Sequence, residues 1–354
     1  MPIVVVPPDP SWPELFHREA EAIRELLGPE AVYLHHIGST AVPGLAAKPI
    51  IDILLVVRDV GALDHLAGGW AELGYEAMGE YGLAGRRYYR KGTRQQGWHV
   101  HAYALDHPDI ERHLAFRDYL RASPVAAHRY GALKQELALR HPGDRDAYMA
   151  GKEPFIREAE AHALAWWRPV PVIALSGPVG VGKTTVGEAL AEMLGRQGIP
   201  HLFVDQDRLT DIWPRSPGDP FAESLGRENL RALWRHARSC GARCLIVPRV
   251  LERAQAAAGI ADAVPGAVLT VVRLEAPYAV LAQRLSGRER GEALAWHLAR
   301  ARELSASLPA GSPADIVLDA TQAPLTIAER IFRAAGLSRL LAVDAHVDPW
   351  RREK

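Results

Sequence analysis

The segment Gly177-Pro178-Val179-Gly180-Val181-Gly182-Lys183-Thr184 limits what this chain can fold into more than any other stretch. It follows the apolar run Val172-Ile173-Ala174-Leu175 and precedes residues in which Val186, Leu190, Met193 and Leu194 recur at helical spacing. A strand, a glycine loop and a helix in that order form a phosphate-binding turn. Glycines let consecutive backbone N–H groups point inward around a phosphate, a lysine reaches the outer phosphates, and a threonine hydroxyl can hold Mg²⁺. The helix that follows offers its positive end to the same anion. Gly177, Gly180, Val181, Gly182, Lys183, Thr184 and Thr185 are therefore the candidate nucleotide contacts, with ATP and Mg²⁺ the implied cofactors.

A chain of 354 residues is too long for one ordinary core, and two domains are expected. The helical stretch ending in Trp166-Trp167 runs into Arg168-Pro169-Val170-Pro171, where the prolines cannot continue it. The division is placed there, giving domains over residues 1–168 and 169–340 and a charged tail over 341–354. Lysine plus arginine equals aspartate plus glutamate at 42 each, so no global charge excess points to nucleic acid or an anionic membrane. No run of about 18 apolar residues is present, and the N-terminus lacks the basic start and apolar core of a signal peptide. A cytoplasmic location is the expectation. Cys240 and Cys244 cannot complete a four-ligand zinc site and read as packing residues.

In the N-terminal domain, His36-Ile37-Gly38-Ser39-Thr40 places a Gly-Ser turn after one strand, and Lys48-Pro49-Ile50-Ile51-Asp52 puts a carboxylate inside the next. Such a turn can hold phosphate oxygens through backbone N–H groups and the Ser39 hydroxyl, while a carboxylate beside it can hold a divalent ion. His99 and His101 alternate on a strand and face one side, so they could join His36 and Asp52 around a metal or an anion. The same histidines also fit plain hydrogen bonding in a partly buried sheet. Arg87-Tyr88-Tyr89-Arg90 and Trp98 to Tyr103 read as a hairpin, and the chain from about Asp109 to Trp167 as mostly helical.

Through these motifs, together with Phe116-Arg117-Asp118-Tyr119-Leu120, Tyr130-Gly131-Ala132-Leu133-Lys134 and the stretch from Asp146 to Ile156, residues 1 to about 165 resemble the GrpB family. The resemblance implies a nucleotidyltransferase-like α/β fold, with His36, Gly38, Ser39, Asp52, His99 and His101 as its candidate site. Active nucleotidyltransferases carry two carboxylates two apart on this strand. Here Asp52 is followed by Ile53 and Leu54, so one metal ligand is missing.

From Pro171 onward strands and helices alternate, as in a parallel sheet flanked by helices. The strand His201-Leu202-Phe203-Val204 ends in Asp205-Gln206-Asp207, and carboxylates at such an edge face the same crevice as the glycine loop. One can hold Mg²⁺ with Thr184 and the other accept a proton from an attacking hydroxyl. Both could instead simply start the next helix. The strand over Ala242 to Val247 ends in Pro248-Arg249-Val250, without the acid of a Walker B motif, which weighs against motor ATPases and GTPases. Arg284, Arg288 and Arg290 cluster around Gly287, as in a lid that balances charge on a moving phosphoryl group. Ala320 to Pro324 lies where related folds hold adenine, and the segment around Trp213, Arg215, Asp219 and Arg227 lies where they hold the acceptor.

This half resembles the P-loop small-molecule and nucleoside monophosphate kinases over about residues 170–337. The resemblance implies an ATP-dependent kinase with Lys183, Asp205, Asp207 and Arg288 as catalytic residues, Thr184 and Asp205 as metal ligands, and a small-molecule phosphate acceptor. The loop lacks the Gly-Gly-Ile-Gly-Ser-Gly-Lys form of dephospho-coenzyme A kinases, which weighs against that acceptor. Two other readings are a nucleotide-gated binding or regulatory module and a nucleotidyltransferase acting through the N-terminal domain. Nucleic-acid binding would need a basic stripe with exposed aromatics, and Arg86 to Lys91 is the one such cluster; hairpin packing explains it equally well.

Overall fold

Ile53, Leu55 and Val57 face one side of their strand and Leu54 and Val56 the other, and all five are fully buried. A strand of this kind needs cover on both faces. The computed structural model describes residues 2–341 except 94, 220 and 312, without side-chain detail at 309–311. Two compact units divide between Arg168 and Pro169. The tail expected over 341–354 lies, from residue 342 on, outside the described residues.

The first unit carries a mixed five-stranded sheet in the order β1-β2-β5-β4-β3, with β1 Ala31–Ile37, β2 Ile50–Val57, β3 Glu76–Ala77, β4 Arg86–Gly92 and β5 Gly97–Ala104. Only β2 and β5 run parallel; the hairpin β4–β5 pairs Tyr88 with His101 and Arg90 with His99. Helices α1 (Trp12–Leu27) and α2 (Ala67–Glu72) cover the face of Ile53, Leu55 and Val57, where Trp70 stacks on Tyr89 with ring centroids 4.0 Å apart. Helices α3 (Pro108–Ala122), α4 (Pro124–Arg140) and α5 (Arg145–Trp167) contribute to the core on the face of Ile37, Leu54 and Val56. Their starts are set locally. The Ser123 hydroxyl accepts the Ala126 N–H before α4, and the Asp144 carboxylate accepts the Asp146 and Ala147 N–H groups before α5. Pro154 sits inside α5, so a proline alone did not mark the end of this helix; the chain leaves it at Trp167.

The second unit is a wholly parallel sheet in the order β10-β9-β6-β8-β7, with β6 Val170–Ser176, β7 His201–Phe203, β8 Cys244–Pro248, β9 Ala267–Glu275 and β10 Ile316–Asp319. Pro171 lies within β6 opposite Val268. The alternation along β6 again decides the layers. Ile173 and Leu175 pack with α6 (Lys183–Arg196) and, after α7 (Glu223–Ser239) and α8 (Ala254–Ala263), with α9 (Tyr278–Arg288). The long α10 (Gly291–Gly311) and α11 (Pro324–Ala334) join that layer. Val170, Val172 and Ala174 face α7 and α8. Cys240 and Cys244 are both free thiols, and burial pushes Cys244 up to about 12. Among the described residues no helix is long and apolar enough to cross a membrane.

Candidate functional site

Strand β6 lies between β8 and β9, so the chain that leaves its C-terminal end does so where the strand order reverses. Open parallel sheets form a crevice at this point. The glycine loop fills it. Gly177 has φ +138°, and a Cβ there would fall 2.5 Å from the Leu274 carbonyl oxygen, so only glycine lets the loop pass so close to β9. Lys183 is the first residue of α6 and Thr184 and Thr185 complete its opening turn, whose N–H groups have no partner within the helix.

The expected contacts of the loop meet as follows. Lys183 Nζ donates to the carbonyls of Gly177 and Pro178 at 3.0 and 3.1 Å, folding back over its own loop. Burial pushes its ammonium down to about 8, against the pull of Asp207 and Asp205. Thr184 Oγ1 donates to Asp205 Oδ2 at 3.2 Å, and Asp205 Oδ1 also accepts the Asp207 N–H at 3.2 Å. Burial raises the Asp207 carboxyl, while Lys183 and Arg249 oppose the rise and Asp205 adds to it. Sequence reasoning noted at Pro248-Arg249 only the missing acid; the position instead supplies a positive charge felt by Asp207, and Arg249 pairs with Glu223 at 3.5 Å. The signal available in the sequence was the arginine at a strand end facing the same crevice as Asp207.

The arginines near Gly287 do not act as one group. Arg284 donates to the Val181 and Ala320 carbonyls, both at 2.9 Å, and so braces the glycine loop against the turn after β10. Arg290 donates to the Ser286 and Glu289 carbonyls and closes the helix end. Arg288 is exposed, pairs with Glu289 at 2.9 Å, and adds its charge to the surroundings of Lys183. Of the expected acceptor segment, Asp219 is committed to the backbone, accepting the Glu223 and Ser224 N–H groups at 2.8 and 2.9 Å. Leu230 and Trp234 are core residues, whereas Trp213 and Phe221 are exposed. A cavity of about 520 Å³ lies beside the loop, walled by Pro178, Pro277, Leu308, Asp319 and Thr321 among others.

In the first unit, Gly38 (φ +71°) lets the turn after β1 close on β2, for a Cβ there would lie 2.4 Å from Asp52 Oδ2. Asp52 pairs with His99 across β2 and β5. His99 Nδ1 and His101 Nε2 stand 3.4 and 3.6 Å from its Oδ1. Burial alone would raise the Asp52 carboxyl, but its contacts with His101 and His99 hold it well below the usual range. His36 does not join them. The register sets Ile37 opposite Asp52, which turns His36 to the other face. There it stacks on Phe16 at 4.9 Å, bonds Thr40 Oγ1 at 3.0 Å, and is driven by burial to about 4. Among the described residues no group of three or more His, Cys, Asp or Glu side chains is placed to hold a metal ion. Ser39 instead accepts a hydrogen bond from Lys134 Nζ at 2.8 Å, and a cavity of about 860 Å³ opens in front of Gly38, Ser39, Asp52 and His99. The basic cluster of the hairpin is spoken for: Arg87 forks onto Asp64, Arg90 meets Glu76, Lys91 meets Glu19, and Arg86 donates to the Glu80 and Tyr81 carbonyls.

Residues 2–162 match the GrpB protein family and residues 173–304 an AAA domain family. The glutamate-rich protein GrpB of Alkalihalophilus pseudofirmus is 30% identical over 163 residues, which span 44% of this chain and 92% of that one. The chain belongs to the GrpB family. UPF0157 protein YqkA of Bacillus subtilis is 46% identical over 155 residues, covering 44% of this chain and 45% of its own length, so the chain spans about half of that relative. A dephospho-CoA kinase of Mycolicibacterium paratuberculosis is 32% identical over 198 residues, 48% of this chain and 49% of that one. The crystal structure of GrpB from Enterococcus faecalis is 47% identical, covering 46% of this chain and 98% of that one with a TM-score of 0.45. Beside its GrpB half, this family member carries a P-loop kinase-like domain.

Proposed function

We propose that the second unit is an ATP-dependent kinase that moves the γ-phosphoryl group to a small-molecule acceptor. The observation that carries this reading is the contact of Thr184 Oγ1 with Asp205 Oδ2 at 3.2 Å, with Asp207 two residues further on and within the field of Lys183. The glycine loop fits a polyphosphate, because the one position where a Cβ would strike the neighbouring strand is a glycine and the first turn of α6 leaves its N–H groups for an anion. Thr184 and Asp205 are two oxygen donors suited to Mg²⁺. Bound there, the ion would neutralise charge on the phosphates.

The division of labour between the two acids follows from their surroundings. Asp205 is tied to Thr184 and to its own turn, which suits a ligand and not a base. Asp207 is not tied to Thr184, its carboxyl is raised from the usual value by desolvation, and it accepts the acceptor hydroxyl's proton. Lys183 leaves its loop carbonyls for the outer phosphates when these enter, and Arg288, held by one exposed pair with Glu289, closes over the moving group. Arg284 keeps the loop in shape and takes no part in transfer.

ADP release measured across sugars, nucleosides, aminoglycosides and coenzyme precursors tests the reading, with Asp207→Asn as the control. Acceptor-dependent ADP release that collapses in the variant supports it. An ATP-binding protein that releases no ADP with any acceptor is the nucleotide-gated binding module instead.

A further inference from the structure

The cavity of the GrpB half is lined by charged groups that mostly cancel in pairs. Glu76 pairs with Arg90 at 2.6 Å and Lys91 with Glu19 at 2.7 Å, while Asp52, set between His99 and His101 and drawing on Lys134 and Lys152, is one negative charge against several positive ones. What is left over is positive: Lys48, Lys134, Lys152 and Arg145 line the cavity, and among the described residues none of these four forms an ion pair. Lys134 is the most costly of them. It is 3% exposed, its Nζ donates to Ser39 Oγ at 2.8 Å and to the Ala46 carbonyl, and it rides over the Tyr130 ring at 4.5 Å. Lys48 and Lys152 flank one ring, that of Tyr148, at 4.4 and 4.8 Å. Burial and mutual repulsion push Lys134 down to about 7 and Lys152 to about 8. Like charges gathered in a half-enclosed cavity are unfavourable unless an anion joins them.

We propose that Lys48, Lys134, Lys152 and Ser39 bind the phosphate groups of a small phosphorylated molecule, with lysines supplying the positive charge that a divalent ion would otherwise bring. The Ser39 hydroxyl accepts from Lys134 and is hydrogen-bonded with Tyr130, and the two hydroxyls between them keep one O–H to give to a phosphate oxygen. A cavity of about 860 Å³ admits a whole nucleotide-sized ligand, with Tyr88, Phe116 and Tyr148 as walls for its apolar part.

The test uses the full chain carrying Lys183→Ala, so that the glycine loop does not report, and titrates tripolyphosphate and ATP by calorimetry in EDTA. Saturable binding is expected, weakened about tenfold or more by Lys152→Gln and kept by Lys152→Arg. Equal affinity for the two probes assigns recognition to the phosphates alone, and a preference for ATP assigns part of it to the nucleoside. Either supports the site. No binding of either probe, or binding untouched by Lys152→Gln, overturns it, as does binding that appears only when Mg²⁺ or Mn²⁺ is added. Because Lys134→Gln can fail to fold, Lys134 is followed in the unaltered chain by acetylation and mass spectrometry. Tripolyphosphate should slow its modification several-fold, and an unchanged rate counts against the proposal.

Discussion

The glycine loop of the second unit and the lysine cavity of the first solve related problems by different routes. Both hold a lysine whose charge is made expensive by burial, Lys183 at about 8 and Lys134 at about 7, and both set it near a hydroxyl and an aspartate. At the loop, Lys183 and its backbone donors come from one stretch of chain, and Lys183 is stored on carbonyls five and six residues behind it. In the cavity, Lys48 precedes β2, Lys134 comes from α4 and Lys152 from α5, and only packing brings them together. A local site is written in one motif and tolerates change in its surroundings. An assembled site depends on three elements keeping their places.

The largest effect expected is at the loop. Lys183→Ala should lower phosphoryl transfer by about a thousandfold, since a charge on the transferred group is lost, while melting of the first unit is unchanged. Steady-state ADP release and calorimetric melting check both halves of that statement, and loss of folding in the first unit would remove the contrast between the two sites. Asp207→Asn should cost about a hundredfold in turnover with ATP affinity retained, whereas Asp205→Asn should raise the Mg²⁺ concentration needed for half-maximal rate. If the two variants behave alike, the separation of roles drawn from Thr184 and Asp205 is wrong.

A finer measurement concerns pH. Lys134 and Lys152 have folded values of about 7 and 8, below the value near 10.4 of a lysine in an unfolded chain. Between these limits the unfolded chain binds more protons, so the first unit should gain stability as pH rises from about 7 toward 10. Lys134→Met should flatten that rise by on the order of 1 to 3 kcal/mol between pH 7 and 9, read from denaturant unfolding at a series of pH values. An identical slope in the variant would mean that Lys134 keeps its charge at ordinary cost. The smallest effect separates His36 from the cavity. His36→Ala should cost about 1 to 2 kcal/mol through its Phe16 stack and Thr40 hydrogen bond and leave tripolyphosphate affinity as it was. A tenfold loss of affinity would return His36 to the site.

The expectations that used spacing alone fared according to how local the question was. The β4–β5 hairpin follows the pattern of its residues, and Gly177 to Thr184 forms the turn its composition requires. His36 was grouped with Asp52 because the two lie close in sequence and chemistry. Which face each strand residue takes depends on pairing register, and a shift of one residue moves a side chain to the other side of the sheet. Arg284 and Arg288 lie four residues apart on one helix, and that spacing gives no sign that the first is spent on Val181 and Ala320.

The sequence by itself determined the glycine loop, its lysine and threonine, and the acids of Asp205-Gln206-Asp207, because each acts within a few residues of a strand end whose geometry is set by backbone hydrogen bonding. It also carried the family membership of the first half. The tertiary structure alone decided that Asp52 faces two histidines and not three, that the charge of Arg249 reaches Asp207, and that Lys48, Lys134 and Lys152 share one cavity. No periodicity links residues that far apart. Their meeting is fixed by the helices α4 and α5 burying their apolar faces on the sheet, and that burial, spread over many side chains, holds the lysines together despite their repulsion.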